Sequence, residues 1–505
     1  MRLATAGLPQ RATLIAIAAL AFLWPAALNG GPFFSTDSIA YIRGPDQAIS
    51  KLFGASHVTV WSAKPLGVGF HEGATPQAGN DEAQKDEAKS PPMAGRSIYY
   101  GLLANLGARF GGFWPTLAAQ ALAAAFALHL LCRALGWERP VRYLILAAVA
   151  ALAAPLGFFV SCIMPDVWAP IAILIVAALA AGGERLSRGE WIAAWLLLAF
   201  AAAAHTTHIL LLAAAVVACA LLAGLRGALR FHLGAPGLAA GAAFLALAAG
   251  ILAGAAFNLA VTKVYHAPPV QPPFLTARLV GDGRPGDAWL HAHCPSAGFQ
   301  ACAYVSRLPM PTDDFLWSAD PRRSAFWTAS PAQRSALGDE QFRFAEAVFK
   351  DDPIGVTRQV ALDGAAQFAD ISLADFNHKD SVRASIDAWM VGPDAATWRA
   401  SLAYRRAWPI KVLDQIEAGA LALGLAGLAA LCVRARIRGG LRPDDERIRV
   451  ILAGFMIITA VIANAAVCGG LSDIFGRYQA RVTAPLILIG LIALTQLGAS
   501  AARRR

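Results

Sequence analysis

Residues 141–183 read VRYLILAAVAALAAPLGFFVSCIMPDVWAPIAILIVAALAAGG. Two apolar runs, 141–162 and 167–183, stand on either side of a short turn holding Met164, Pro165 and Asp166. Each run can cross a hydrocarbon core of about 30 Å, which takes about 20 apolar residues in a helix. A hairpin of two membrane helices with a carboxylate at its tip is the pattern that decides the fold class.

The pattern repeats along the chain. Further apolar runs occupy 12–30, 113–134, 191–205, 207–225, 236–262, 412–433, 449–468 and 482–498. The runs near 191 and 482 are short and would need tilt or extension to span. Of the 505 residues, 57% are hydrophobic and 15% charged, and the mean hydropathy is +0.50. Such a composition excludes a soluble globular protein. The expectation is an all-α polytopic membrane protein of about ten transmembrane helices. Its modules would be 1–262, a mostly α extracytoplasmic domain at 263–411, and a C-terminal part at 412–505. The first run follows Arg2 and Arg11 like a signal peptide, but Ala27-Leu28-Asn29-Gly30 is a poor cleavage site, so it reads as an uncleaved helix.

Charge sets the expected orientation. The net charge is +10, and the basic residues gather in short connections: Arg133, Arg139 and Arg142; Arg185 and Arg188; Arg226 and Arg230; Arg434, Arg436 and Arg438; Arg503 to Arg505. Cytoplasmic anchoring accounts for that distribution better than nucleic acid, so no nucleic-acid partner is expected. Both termini then fall in the cytoplasm, and a bacterial inner membrane is the expected location. The outer face receives the loop 31–112, the turns 161–170 and 205–208, the domain 263–411 and the segment 468–481. In the first loop, Phe33 to Leu52 and Gly95 to Phe110 would lie along the membrane as amphipathic helices, while 71–93 has a disordered composition.

The polar residues expected on that face carry the chemistry. Asp37, in PFFSTDSIAYI (32–42), follows the first helix, and Asp166 sits between Pro165 and Pro170. Two such carboxylates would act as a general base with an orienting partner, or hold a divalent metal; the competing reading is helix capping. His205 and His208, three apart in AHTTHI, suit a phosphate or a metal, or plain interfacial hydrogen bonding, and Thr206 and Thr207 would add hydroxyls. The last outer segment holds Asp473, Arg477, Tyr478, Gln479 and Arg481. Its two arginines run against the positive-inside bias, and a bidentate phosphate contact would explain them; pairing with Asp473 or lipid headgroups is the alternative. Lys64, Arg43 and Arg96 are looser candidates of the same kind. Cys294 and Cys302, in the expected outer domain, are disulfide candidates, whereas Cys132, Cys219 and Cys432 lie in or beside apolar helices.

This arrangement resembles the GT-C class of membrane glycosyltransferases, which includes oligosaccharyltransferases, protein O-mannosyltransferases and aminoarabinose transferases. Asp37 in Ser-Thr-Asp-Ser-Ile-Ala-Tyr is similar to the acid these enzymes place after their first helix, and Asp166 in Met-Pro-Asp to their second. The likeness covers 12–262 by topology. It implies a polyprenyl-phosphate sugar donor, an outward-facing site and Asp37 as the base. Ser38 stands where many relatives have a second acid, and the soluble domain precedes the last helices rather than ending the chain, so the metal and the acceptor stay open. A lipid-linked substrate transporter or flippase is the alternative, supported by Asn258, expected to be buried late in the seventh helix; a non-catalytic envelope assembly protein is the third.

Overall fold

The computed structural model describes residues 8–62, 91–110, 112–225, 234–390, 392–437 and 445–502. Lys64, Arg2, Arg226, Arg230, Arg438, Arg503 to Arg505 and most of the polar stretch 71–93 lie outside the described residues.

The chain opens with α1 (Leu8–Phe22) and α2 (Trp24–Asn29). Gly30, at φ 83°, turns the chain out of α2 in a conformation a side chain would disfavour. Next come α3 (Thr36–Phe53) and α4 (Ile98–Arg109), then α5 (Trp114–Ala134), α6 (Pro140–Leu152) and α7 (Leu156–Val160). α8 (Trp168–Gly182) is followed by α9 (Arg188–Ala204), α10 (Thr206–Leu225) and the long α11 (Pro236–Tyr265). The next part contains α12 (Phe274–Val280), α13 (Pro285–His293), α14 (Thr312–Trp317), α15 (Pro331–Asp351), α16 (Pro353–Ala369), α17 (Asp380–Trp389) and α18 (Gly392–Ala400). α19 (Ile410–Ile437), α20 (Arg447–Leu471), the short α21 (Gly476–Ala480) and α22 (Thr483–Ala502) complete the chain. Among the described residues there is no strand, only two isolated bridges. The protein is all-α.

Eight helices among the described residues are long and apolar enough to cross a membrane. Two expected spans fall short of that length. The run 141–162 is broken: α6 stops at Leu152 and α7 begins at Leu156, because Pro155 has no N–H to continue the ladder. The run near 191 is a helix of 17 residues, started by a capping box between Ser187 and Glu190. α8 sits at the centre, and every residue from Pro165 to Gly183 is buried by its neighbours. Lipid-side exposure is concentrated on α11, where Leu238, Phe244, Leu245, Ile251, Leu252 and Leu259 all face outward. Asn258 is exposed as well, its carbonyl accepting from Thr262 at 2.8 Å. The buried position expected for it is therefore corrected: in a helix this poorly covered, the polar side chain lies on the outer surface.

Each end of the bundle has its own polar cluster. At one end Arg133 reaches Glu190 at 3.0 Å, Arg185 reaches Glu446 at 2.5 Å, and Arg449 pairs with Glu184 and Glu446. The other end gathers Asp37, Asp166 and the last connecting segment.

Residues 263–411, expected as one water-exposed domain, divide between two hydrophobic cores. Phe315, Phe326, Leu337 and Phe344 belong to a small core of their own, beside the disulfide Cys294–Cys302. By contrast, Phe376, Trp389, Trp398 and Trp408 join the main core. Asn29, 1% exposed, ties them there: its Oδ1 accepts from Ala403 N at 2.9 Å and from Trp408 Nε1 at 3.2 Å. Phe33, Phe158, Phe376 and Trp408 pack around the same point, three of the pairs edge to face and two tilted, with centroids 5.0 to 5.8 Å apart.

Candidate functional site

Two short segments bring the carboxylates together. Phe33 N donates to Ser161 O and Ile163 N donates to Phe33 O, both at 2.9 Å. Ser38 Oγ donates to Ile163 O at 2.7 Å, and Gln120 Nε2 holds the carbonyls of Val160 and Cys162 from below. The chain leaving α2 and the chain leaving α7 thus run side by side for one bridge. Each then starts a helix whose first turn carries an aspartate.

The two aspartates have different surroundings. α3 is capped by Ser35, whose Oγ accepts from Asp37 N at 3.3 Å, and Ser35 and Ser38 form a capping box. Asp37 lies in the first turn, where the helix dipole favours a negative charge, and its Oδ1 accepts from Arg96 Nη2. Both side chains keep just over a quarter of their surface open. Burial works against the Arg96 charge, but the Asp37 carboxylate overrides it and holds the guanidinium above its usual range. Asp166 is 5% exposed. Helix capping does not describe it, since no side chain caps the turn Pro165–Val167 or α8. Its Oδ1 accepts from Arg481 Nη1 at 3.0 Å.

Arg477 and Arg481 sit one helical turn apart in the segment leading to α22. Arg481 is enclosed: Nη2 donates to Asn464 Oδ1 at 2.9 Å, to Cys468 Sγ at 3.2 Å and to Thr207 Oγ1 at 3.4 Å. Arg477 Nη1 donates to Ser35 Oγ at 3.4 Å, and its Nε lies 3.6 Å from Asp375 Oδ2. A chain of contacts therefore runs from Arg96 to Asp37, through Ser35 to Arg477, and from the same turn through Arg481 to Asp166. The Tyr478 ring lies 5.1 Å from the Arg477 guanidinium and 5.4 Å from that of Arg481. Asp473 is not the partner of either arginine. It pairs with Arg278 at 3.2 Å.

The histidines differ from each other. His205 Nδ1 accepts from Thr207 N at 3.2 Å and lies 2.8 Å from Thr207 Oγ1, so the ring caps the start of α10. His208 Nδ1 is 2.8 Å from Ala201 O. A carbonyl can only accept, so that nitrogen carries the proton. The lone pair of His208 Nε2 is left buried with no hydrogen-bond partner among the described residues. The rings are 5.4 Å apart. Among the described residues no group of three or more His, Cys, Asp or Glu side chains could hold a metal ion.

Arg43 stands apart: its guanidinium lies 4.4 Å from the Trp389 ring. Burial pushes it down to about 10, against the pull of the Asp46 carboxylate. Asp46, absent from the sequence reading, is 1% exposed and fully engaged: it accepts from Thr59 N at 3.1 Å, Ser62 Oγ at 2.7 Å, Asn105 Nδ2 at 2.9 Å and Arg109 at 3.1 Å. It knits the first loop together. Asp375 and Asn464 also went unread, because each reaches the site only through the tertiary fold.

Comparison of the chain with protein-family models, curated proteins and solved structures finds no match.

Proposed function

We propose that this protein is a membrane glycosyltransferase of GT-C type, moving a sugar from a polyprenyl-phosphate carrier to a hydroxyl-bearing lipid, glycan or protein acceptor. The observation that supports the reading is the linkage of Arg477 through Ser35 to Asp37, with Arg96 on the same carboxylate. A phosphosugar at the membrane surface needs cations for its phosphate and a base beside its anomeric carbon. Both are here at one end of the bundle.

In this reading the acceptor oxygen attacks the anomeric carbon as the carbon–oxygen bond to the phosphate breaks. Asp37 takes the acceptor proton. Arg477 and Arg96 meet the charge that develops on the departing phosphate. Asp166, closed off by Arg481, is a positioning residue: it fixes the turn from which Arg477 projects. A divalent metal is a poor fit at Asp37 and Asp166, since each carboxylate already faces an arginine. The site would face outward from a bacterial inner membrane. Transport draws less support, since Asn258 faces outward rather than lining a path.

The test is transfer by the purified protein in lipid nanodiscs, with a panel of polyprenyl-phosphate sugars and acceptors, in EDTA and with added Mg²⁺ or Mn²⁺. Asp37→Asn should lower turnover by about 10²-fold or more, while Arg477→Gln should raise the donor KM. Wild-type turnover in Asp37→Asn would remove Asp37 from the mechanism.

A further inference from the structure

α16 is built inside out for a helix in water. Its inward side is polar: Asp363 is 7% exposed and pairs with Arg278 at 2.9 Å and Arg284 at 3.2 Å. Gln367 is fully buried, donating to Phe475 O at 2.8 Å and accepting from Phe475 N at 3.1 Å. The outward side is apolar. Ile354 is 80% exposed, Leu362 50% and Phe368 47%, and Ala361, Ala365, Ala366 and Ala369 are exposed between them. A surface helix in water shows the opposite arrangement.

The helix against which α16 packs is a membrane span. It lies on the last turns of α20 through small residues: a Cβ added at Gly469 would come 2.4 Å from Asp363 O, one at Gly470 2.9 Å from Val360, and one at Gly364 3.4 Å from Ala466. Such close, small-residue contact is how helices associate in lipid. The outward face of α20 continues the surface with Phe455, Ile458, Ile462 and Leu471, all exposed. Arg358 is exposed near the α16 N-terminus, with the small residues Gly355 and Ala361 among its helical neighbours. Its long stem can carry its charge to the headgroups while the half from Ala361 to Ala369 lies deeper.

We infer that α16, within the part of the chain expected to stand in water, is seated in the bilayer, its Ala361–Leu362–Ala365–Phe368 face covered by the acyl chains of the leaflet at the site end. The lipid surface is thus a direct partner of the element that leads into Ser372 and Asp375, the latter beside Arg477. This inference does not depend on the transferase reading.

The test uses the full chain in phosphatidylcholine vesicles, with Cys432, the exposed free cysteine among the described residues, replaced by Ala. Spin labels are placed at Ala361→Cys, Leu362→Cys and Ala365→Cys, with Glu346→Cys on α15 as a water-side control. Collision with oxygen, which concentrates in the acyl layer, is compared with collision with a water-soluble nickel chelate. The expected result is a reversal of the ratio: oxygen dominates at the three α16 positions and nickel at the control. Nickel dominating at all four would place α16 in water, and low collision with both reagents would mean that protein, such as a second copy of the chain, covers the face. Either outcome overturns the inference. The two alanine positions are already small and exposed, so folding does not hinge on replacing Leu362.

Discussion

Removing the Asp166 carboxylate is the sharpest perturbation the structure offers. In Asp166→Ala the Arg481 guanidinium, 1% exposed, loses its only paired charge among the described residues and keeps Asn464, Cys468 and Thr207. Stranding a buried charge costs about 3–5 kcal/mol, whereas replacing both members by apolar groups is often near neutral. Three neutral contacts remain to Arg481, so the lower part of that range, about 3 kcal/mol, is expected. Arg481→Met alone should cost a similar amount, by leaving Asp166 unpaired. The double variant Asp166→Ala/Arg481→Met should then recover much of the loss and end within about 2 kcal/mol of wild type, so the coupling energy, both single losses less that of the double, is about 4 kcal/mol. Reversible unfolding in mixed micelles, read by tryptophan fluorescence on all four proteins, measures it. Additive single losses, with the double variant the least stable, would refute the claim that this pair is a closed structural unit. Turnover adds a second readout: the double variant lacks the bond that fixes the turn carrying Arg477, so its donor KM should rise even where its stability is recovered.

Three further outcomes are expected. Burial, with Arg477 and Arg383 nearby, pushes His378 down to about 4; an unfolded histidine titrates near 6.5, so the unfolded chain binds the proton more tightly and this contribution, roughly 3 kcal/mol, is complete above pH 6.5 and lost as the pH falls to 4. His378→Gln should flatten stability across that window, and a slope unchanged from wild type would contradict it. A Cβ on Gly490 would lie 2.2 Å from Gly424 Cα, so Gly490→Leu should part α19 from α22, cost about 2 kcal/mol or more and lower the monodisperse fraction after heating. Alkylation before and after reduction should differ in mass by two labels, at Cys294 and Cys302, and an equal mass would mean that the bridge is open.

The apolar runs announced the bundle because span length is a one-dimensional property. Asp37 and Asp166 could be singled out for the same reason: a charge beside a long apolar run is visible without any tertiary information. The break at Pro155 was written in Ala153-Ala154-Pro155, yet hydropathy alone reads through it. Partners were harder. Arg96 reaches Asp37 across 59 residues, and Asp375 reaches Arg477 from another part of the chain. Nothing local marks such meetings. Asp46 stayed hidden because its ligands, Thr59, Ser62, Asn105 and Arg109, are ordinary loop and helix residues until they converge. The reversed polarity of α16 was invisible too: composition reports that both residue kinds are present, and only packing decides which face each occupies.

The Asp166–Arg481 bond joins positions 315 residues apart, which has a bearing on biosynthesis. At about 5–20 residues per second, the arginine leaves the ribosome roughly 15–60 s after the aspartate. During that interval the nascent chain carries a carboxylate in its central hairpin with its cation still to be made. A truncation anywhere before Arg481 would strand it there permanently. The first half of the chain therefore stays electrostatically incomplete until its last connecting segment is made.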